Sequence, residues 1–136
     1  MASSTGWHPS DREIASVLRL NRDDRYAYAV KHIADEAALW SLRSDDGYVS
    51  GDAPDGAVYV AVWPHPRYAA ACAVDAWAGC EAVRIDLDAW LERWTPGLTR
   101  DQRFVAVFPV PGEQRVIVAQ PDRFAADLVT ELDALE

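Results

Sequence analysis

The run at 57–63, "AVYVAVW", is apolar at nearly every position and stops at Pro64-His65-Pro66. An alternating pattern would mark a strand wet on one face. An unbroken one fits a strand buried on both faces. Pro64 lacks an N–H and cannot extend a ladder. Pro66 suits the first position of a helix, where a missing N–H costs nothing. This one segment therefore asks for a sheet with helices packed against it, and for a strand-to-helix corner at His65.

The remaining chain supplies the parts. Ser10 and Glu13 have capping-box spacing and start a helix at Asp11. Asn21 caps a second helix, with Tyr26, Val30, Ile33 and Ala37 at helical spacing, running to about Ala37. "LWSLR" and "YVS" read as short strands joined by a tight turn at Asp46-Gly47, and "GDAPDG" at 51–56 as a polar loop tip. The helix entered at Pro66 reaches about Trp77, and "EAVRIDL" is a strand. Asp86 caps a short helix carrying Leu87, Trp90, Leu91 and Trp94, which Pro96-Gly97 ends. The runs 103–108 and 114–119 are strands joined by "PVPGE", and Pro121 opens a last helix with Phe124, Leu128, Leu132 and Leu135 on one side. The expectation is an α+β fold: a single mixed β-sheet of about five to six strands with helices packed against it, two of them N-terminal and one C-terminal. The runs 57–63, 103–108 and 114–119 are expected side by side at its centre. Residues 1–9 read as a flexible tail with Trp7 as an exposed contact, and 10–136 as one domain.

The formal net charge is −9, from 22 acids against 13 bases, and the excess is spread evenly along the chain. A nucleic-acid backbone needs a concentrated basic face, and none is present. No run nears the roughly 18 apolar residues that cross a bilayer. "MASSTGWHPS" has neither the basic nor the apolar region of a signal peptide. Two cysteines, Cys72 and Cys80, make no disulfide framework. The expectation is an acidic, soluble, cytoplasmic protein of bacterial type, binding neither nucleic acid nor membrane.

The blocks "DRYAYAVKHIADEAALWSL" (24–42), "VWPHPRYAAACAVDAW" (62–77) and "WLERWTPGLTRDQRFVAVFPVPGEQRVIVAQPDRFAADL" (90–128) occur here in one order. Together they resemble the bacterial domain-of-unknown-function family 2750, over about residues 11–133. The resemblance implies a small stand-alone α+β domain and no activity. The order of elements is also similar, at the level of architecture, to the N-terminal domain of SseB-type proteins, which hints at protein–protein association.

No catalytic motif is present. His65 as a general base needs a carboxylate and a nucleophile within hydrogen-bond reach. The simpler reading is a cap on the helix entered at Pro66, the ring bonded to nearby backbone and kept neutral by the helix dipole. A metal drawing on His65, Cys72 and Cys80 would use H-x6-C-x7-C, which matches no structural zinc spacing, and Cys72 lies on an apolar helix face. Asp86 and Asp88 read as a cap and a first-turn acid, and no glycine-rich phosphate loop exists. No cofactor or metal is therefore expected. Arg25 and Asp35 are ten residues apart on one helix and cannot pair, so each needs a partner elsewhere. If a site exists, Arg25, Trp40, Trp63, His65 and Tyr68 line its cleft. Two functions remain open. The first is a non-catalytic protein-binding module, immunity-like or accessory, for a basic protein partner. The alternative is a small enzyme or small-molecule-binding domain with a cleft at the Trp63-Pro64-His65 corner.

Overall fold

The computed structural model describes residues 7–45, 47–52, 56, 58–110 and 117–135. Residues 1–6 of the expected tail, Asp46 of the expected turn, 53–55 of the loop tip and 111–116 of the "PVPGE" connection and following strand lie outside the described residues.

The two N-terminal helices start where their caps put them. In α1 (Asp11–Val17), Ser10 Oγ accepts the Glu13 N–H at 3.1 Å. In α2 (Arg22–Glu36), Asn21 Oδ1 accepts the Asp24 N–H at 2.8 Å. Ala37, in the left-handed region at φ 56°, turns the chain straight into β1 (Ala38–Ser44). The segments β2 (Gly47–Tyr48), β3 (Ser50–Asp52) and β4 (Val58–Val62) follow, then α3 (Pro66–Ala71). After β5 (Glu81–Asp86) come α4 (Leu87–Ala89), a π-helical turn at Trp90–Trp94 and α5 (Thr95–Arg100). The chain finishes with β6 (Phe104–Val107), β7 (Ile117–Ala119) and α6 (Pro121–Ala134).

The fold is α+β, with two sheets in place of the single one expected: β2-β1-β5 and β3-β4-β6-β7. Strands β4 and β6 are parallel and the other pairings antiparallel. The division has a physical cause. Only Val49 separates β2, which pairs with β1, from β3, which pairs with β4. A flat segment antiparallel to both would leave β1 and β4 parallel. They instead meet antiparallel at Trp40 and Trp63, which exchange N–H···O bonds of 2.9 and 2.8 Å. The chain must therefore bend at Val49, and the two ladders cannot be one flat sheet. The β1–β4 contact stops after this rung because its next groups are spoken for. Ser41 Oγ donates to the Ala61 carbonyl at 2.6 Å, and the Leu42 carbonyl takes the Val49 N–H at 2.9 Å.

The apolar runs do lie side by side, as β4, β6 and β7. Val60 to Trp63 and Val105 to Phe108 are buried. The third run is the outermost strand of its sheet rather than central, with Ile117 and Val118 half-buried. Helices α2 and α6 pack on each other and reach β7 and β6, while α3 covers β1 and β5.

Three local expectations change. Helix α3 ends at Ala71 rather than near Trp77; Trp77 belongs to a 3-10 turn and sets its ring edge-on to Trp63, centroids 5.8 Å apart. Pro96 does not end the helix begun at Leu87. The π turn lets the Thr95 N–H and Oγ1 both reach the Trp90 carbonyl, the latter at 2.9 Å, and Pro96 then opens α5 where its missing N–H is harmless. The stop comes at Gln102, φ 58°, where the Arg103 N–H returns to the Leu98 carbonyl at 2.9 Å in a Schellman closure. Asp86 stands at the N-cap position of α4 but makes no cap; Arg84 Nε donates to its carboxylate at 2.8 Å.

Candidate functional site

The parallel strands β4 and β6 both end at proline corners, Trp63-Pro64-His65 and Phe108-Pro109. In this register the Phe108 N–H reaches the Val62 carbonyl at 2.8 Å. The next donor, to the Phe108 carbonyl, would be the N–H of residue 64, which Pro64 lacks. Arg25 fills the gap. Its side chain, 1% exposed, crosses from α2 and Nε donates to the Phe108 carbonyl at 3.1 Å, while Nη1 donates to the Leu20 carbonyl at 2.6 Å. Phe108 is fully buried yet sits at φ 57°, a strained conformation for a bulky residue. The following carbonyl, that of Pro109, accepts Trp63 Nε1 at 3.0 Å and the Cys72 thiol at 3.3 Å. Burial pushes that thiol up to about 11. Three side chains, from α2, from the residue after β4 and from the C-cap of α3, thus hold one strained turn.

His65 is the N-cap of α3. Its Nδ1 accepts the Arg67 N–H at 3.1 Å, as expected of a structural histidine. Burial, then the neighbouring His8, lowers its pKa; a hydrogen bond with the Trp7 backbone on the raising side, the Arg67 charge on the lowering side and Glu13 on the raising side act more weakly. Tyr68, one turn on, is buried, and its hydroxyl meets that of Tyr28 at 2.7 Å. Tyr28 donates its proton to Glu13 Oε2 at 2.6 Å, so Tyr68 donates to Tyr28. Burial, reinforced by the bond to Glu13, raises the Tyr28 pKa, and burial raises that of Tyr68. Both phenols therefore remain donors at neutral pH.

The N-terminal segment closes over this corner. Trp7 stacks on His32 at 4.0 Å between centroids and 10° between planes, and meets His65 at 5.1 Å and 79°. Burial lowers the His32 pKa. His8 lies 6.0 Å from His65, and Trp40 lies 5.9 Å from it. Arg67 clamps the segment: Nη1 donates to the Pro9 carbonyl at 2.8 Å, and the guanidinium pairs with Asp11. All three histidines of the chain thus gather beside Trp7.

Trp40 and His65 are brought together with Tyr68 one turn on, whereas Trp63 turns its indole to Trp77 and the Pro109 carbonyl, and Arg25 lies against the neighbouring Phe108 carbonyl. The sequence reading took Glu13 only as a capping-box residue and did not single out Tyr28, His32 or the docking of Trp7. A signal for α2 existed, since Arg25, Tyr28 and His32 follow i, i+3, i+7 spacing and share one helix face. Asp35 is exposed on α2, and Asp86 and Asp88 are exposed at α4. Among the described residues no three His, Cys, Asp or Glu side chains converge as metal ligands. Among the described residues, surface concavities of about 510 to 650 Å³ open elsewhere, for example beside Arg43, Asp45 and Glu81, and these are not lined by the five candidate residues. No helix among the described residues is long and apolar enough to cross a membrane.

No curated protein matches the chain. A family model does, over residues 26–128 of the 136, from the first turns of α2 to Leu128 in α6. The chain belongs to this family, proteins of unknown function designated DUF2750.

Proposed function

We propose that the domain is a non-catalytic module, immunity-like or accessory, that binds a basic protein partner in the reducing cytoplasm, where Cys72 and Cys80 remain free thiols. The supporting observation is how charge is distributed by burial. Among the described residues the one buried charged side chain is Arg25, and no carboxylate is buried. Among the described residues the exterior is thus more negative than their formal sum. An acidic exterior steers encounter with cationic partners and repels nucleic acid and anionic lipid. The corner adds support: Arg25 Nε and Nη1, Trp63 Nε1 and His65 Nδ1 all bond the fold's own backbone.

The test is calorimetric titration with a panel of purified basic proteins from about 0.05 to about 0.5 M salt. The reading expects at least one complex whose affinity falls as salt rises. Binding of none, or salt-independent binding throughout, overturns it. A second reading, a small-molecule or catalytic cleft, draws on the Glu13–Tyr28–Tyr68 chain at the C-terminal ends of parallel β4 and β6, where α/β ligand sites gather. A thermal-shift screen with metals, nucleotides and sugars separates the two, because a ligand bound only by the folded state raises the melting temperature. A hit abolished by Tyr28→Phe favours the second reading.

A further inference from the structure

We propose that Trp7–Pro9 is a latch released by protonation of His65, and that release bares an aromatic face made of Tyr28, His32, Trp40 and His65. Three contacts carry it. His65 Nδ1 accepts the Arg67 N–H at 3.1 Å and so must be bare of hydrogen. The same ring lies 5.1 Å from the Trp7 ring. Arg67 in turn holds the Pro9 carbonyl at 2.8 Å and pairs with Asp11. A proton on Nδ1 sets two N–H groups against each other, breaks the cap of α3 and disturbs the residue that clamps the segment. One imidazole therefore touches both ends of the latch.

The surroundings decide the direction. From the segment itself, His8 faces His65 and opposes its charge. From α3, the Arg67 guanidinium opposes the charge, and Tyr68 is neutral. From α1, Glu13 favours it, and Asp11 is engaged by Arg67. From α2, Tyr28 is neutral; Lys31 and Asp35 act with opposite sign on His32, and Glu36 interacts with His8. From β5, Arg84 lies 5.8 Å from the Trp40 ring that packs near His65. The capped Nδ1, the burial of the ring and the His8 and Arg67 charges outweigh the two influences that favour the cation, the Trp7 backbone hydrogen bond and Glu13. His32 also stacks on Trp7 and has a pKa lowered by burial, so the His65→Asn variant is what separates the two histidines.

Two measurements on the full chain test this. The first is ¹⁹F NMR of 5-fluorotryptophan-labelled protein, with the position 7 resonance assigned by Trp7→Ala. As pH falls below about 6.5, the docked-to-free ratio at position 7 falls up to tenfold per pH unit for the one proton taken up. The Trp63 and Trp90 resonances stay unmoved. In His65→Asn, which can cap without titrating, the position 7 signal becomes insensitive to pH over the same range. The second is the His65 midpoint from its Hε1 resonance. By linkage, Trp7→Ala must move that midpoint up towards about 6.5. The proposal is overturned if position 7 does not respond to pH, responds equally in His65→Asn, or moves only together with the core tryptophans. It is also overturned if the His65 midpoint is the same with and without Trp7.

Discussion

Arg25→Met removes the donor that replaces the N–H missing at Pro64, while keeping side-chain length. The Phe108 and Leu20 carbonyls lose a charged partner at 3.1 and 2.6 Å. Each such bond contributes about 1.5–3 kcal/mol, and an orphaned buried carbonyl costs about 1–3 kcal/mol. Methionine offsets part of this, because it removes the desolvation cost of a buried guanidinium and restores apolar packing. The net expectation is a loss of about 2–4 kcal/mol, a large share of the 5–15 kcal/mol typical of a domain. At about 4 °C per kcal/mol for a chain of this length, the melting temperature falls by about 8–16 °C. Urea unfolding followed by circular dichroism measures it, with exposed Arg19→Met as a control expected within about 0.5 kcal/mol. Arg25→Lys recovers less than half of the loss, since one ammonium cannot reach both carbonyls as the planar fork does. If Arg25→Met lies within about 1 kcal/mol of the parent at unchanged m-value, the strained Phe108 turn does not depend on Arg25, and the reasoning fails.

Other perturbations probe the same corner. In the native chain Ellman's reagent should label Cys80 and spare Cys72, whose thiol is buried and pushed up to about 11, with both reacting in guanidinium; fast native labelling at Cys72 would contradict the packing against Pro109. On the acid side, His32 and His65 have lowered folded pKa values, so below about 6.5 the unfolded chain binds protons that the folded chain refuses. Stability is full above that pH and drains away as pH falls towards the folded values; a constant urea midpoint between about pH 7.5 and about pH 5.5 would refute this. On the alkaline side, Tyr26, Tyr28 and Tyr68 are raised, chiefly by burial, so stability is full below about 10 and is lost as pH rises beyond it. Phenolate absorbance should show these three tyrosines ionising only on unfolding.

What could be read from the chain alone were features whose partners lie within a few residues. Ser10 and Asn21 cap their helices because donor and acceptor are three positions apart. The Pro64-His65-Pro66 corner, with His65 bonded to Arg67, is likewise a local hydrogen-bonding problem with a local solution. The apolar runs declared strands buried together, since no other element hides both faces of such a segment. Chain-distant partners left no such mark. The bond from Arg25 to the Phe108 carbonyl joins positions 83 apart, and that from Trp63 to Pro109 joins positions 46 apart. The bend at Val49 that divides the sheet follows from which strands flank it, and the passage of the helix through Pro96 depends on a π turn packed by Trp90 and Trp94. The docking of Trp7 rests on rings from α2 and α3 that come together only once the chain has folded. Short-range hydrogen bonds choose a conformation before the chain collapses, whereas a buried guanidinium or a stacked indole acquires its partner from the collapse itself.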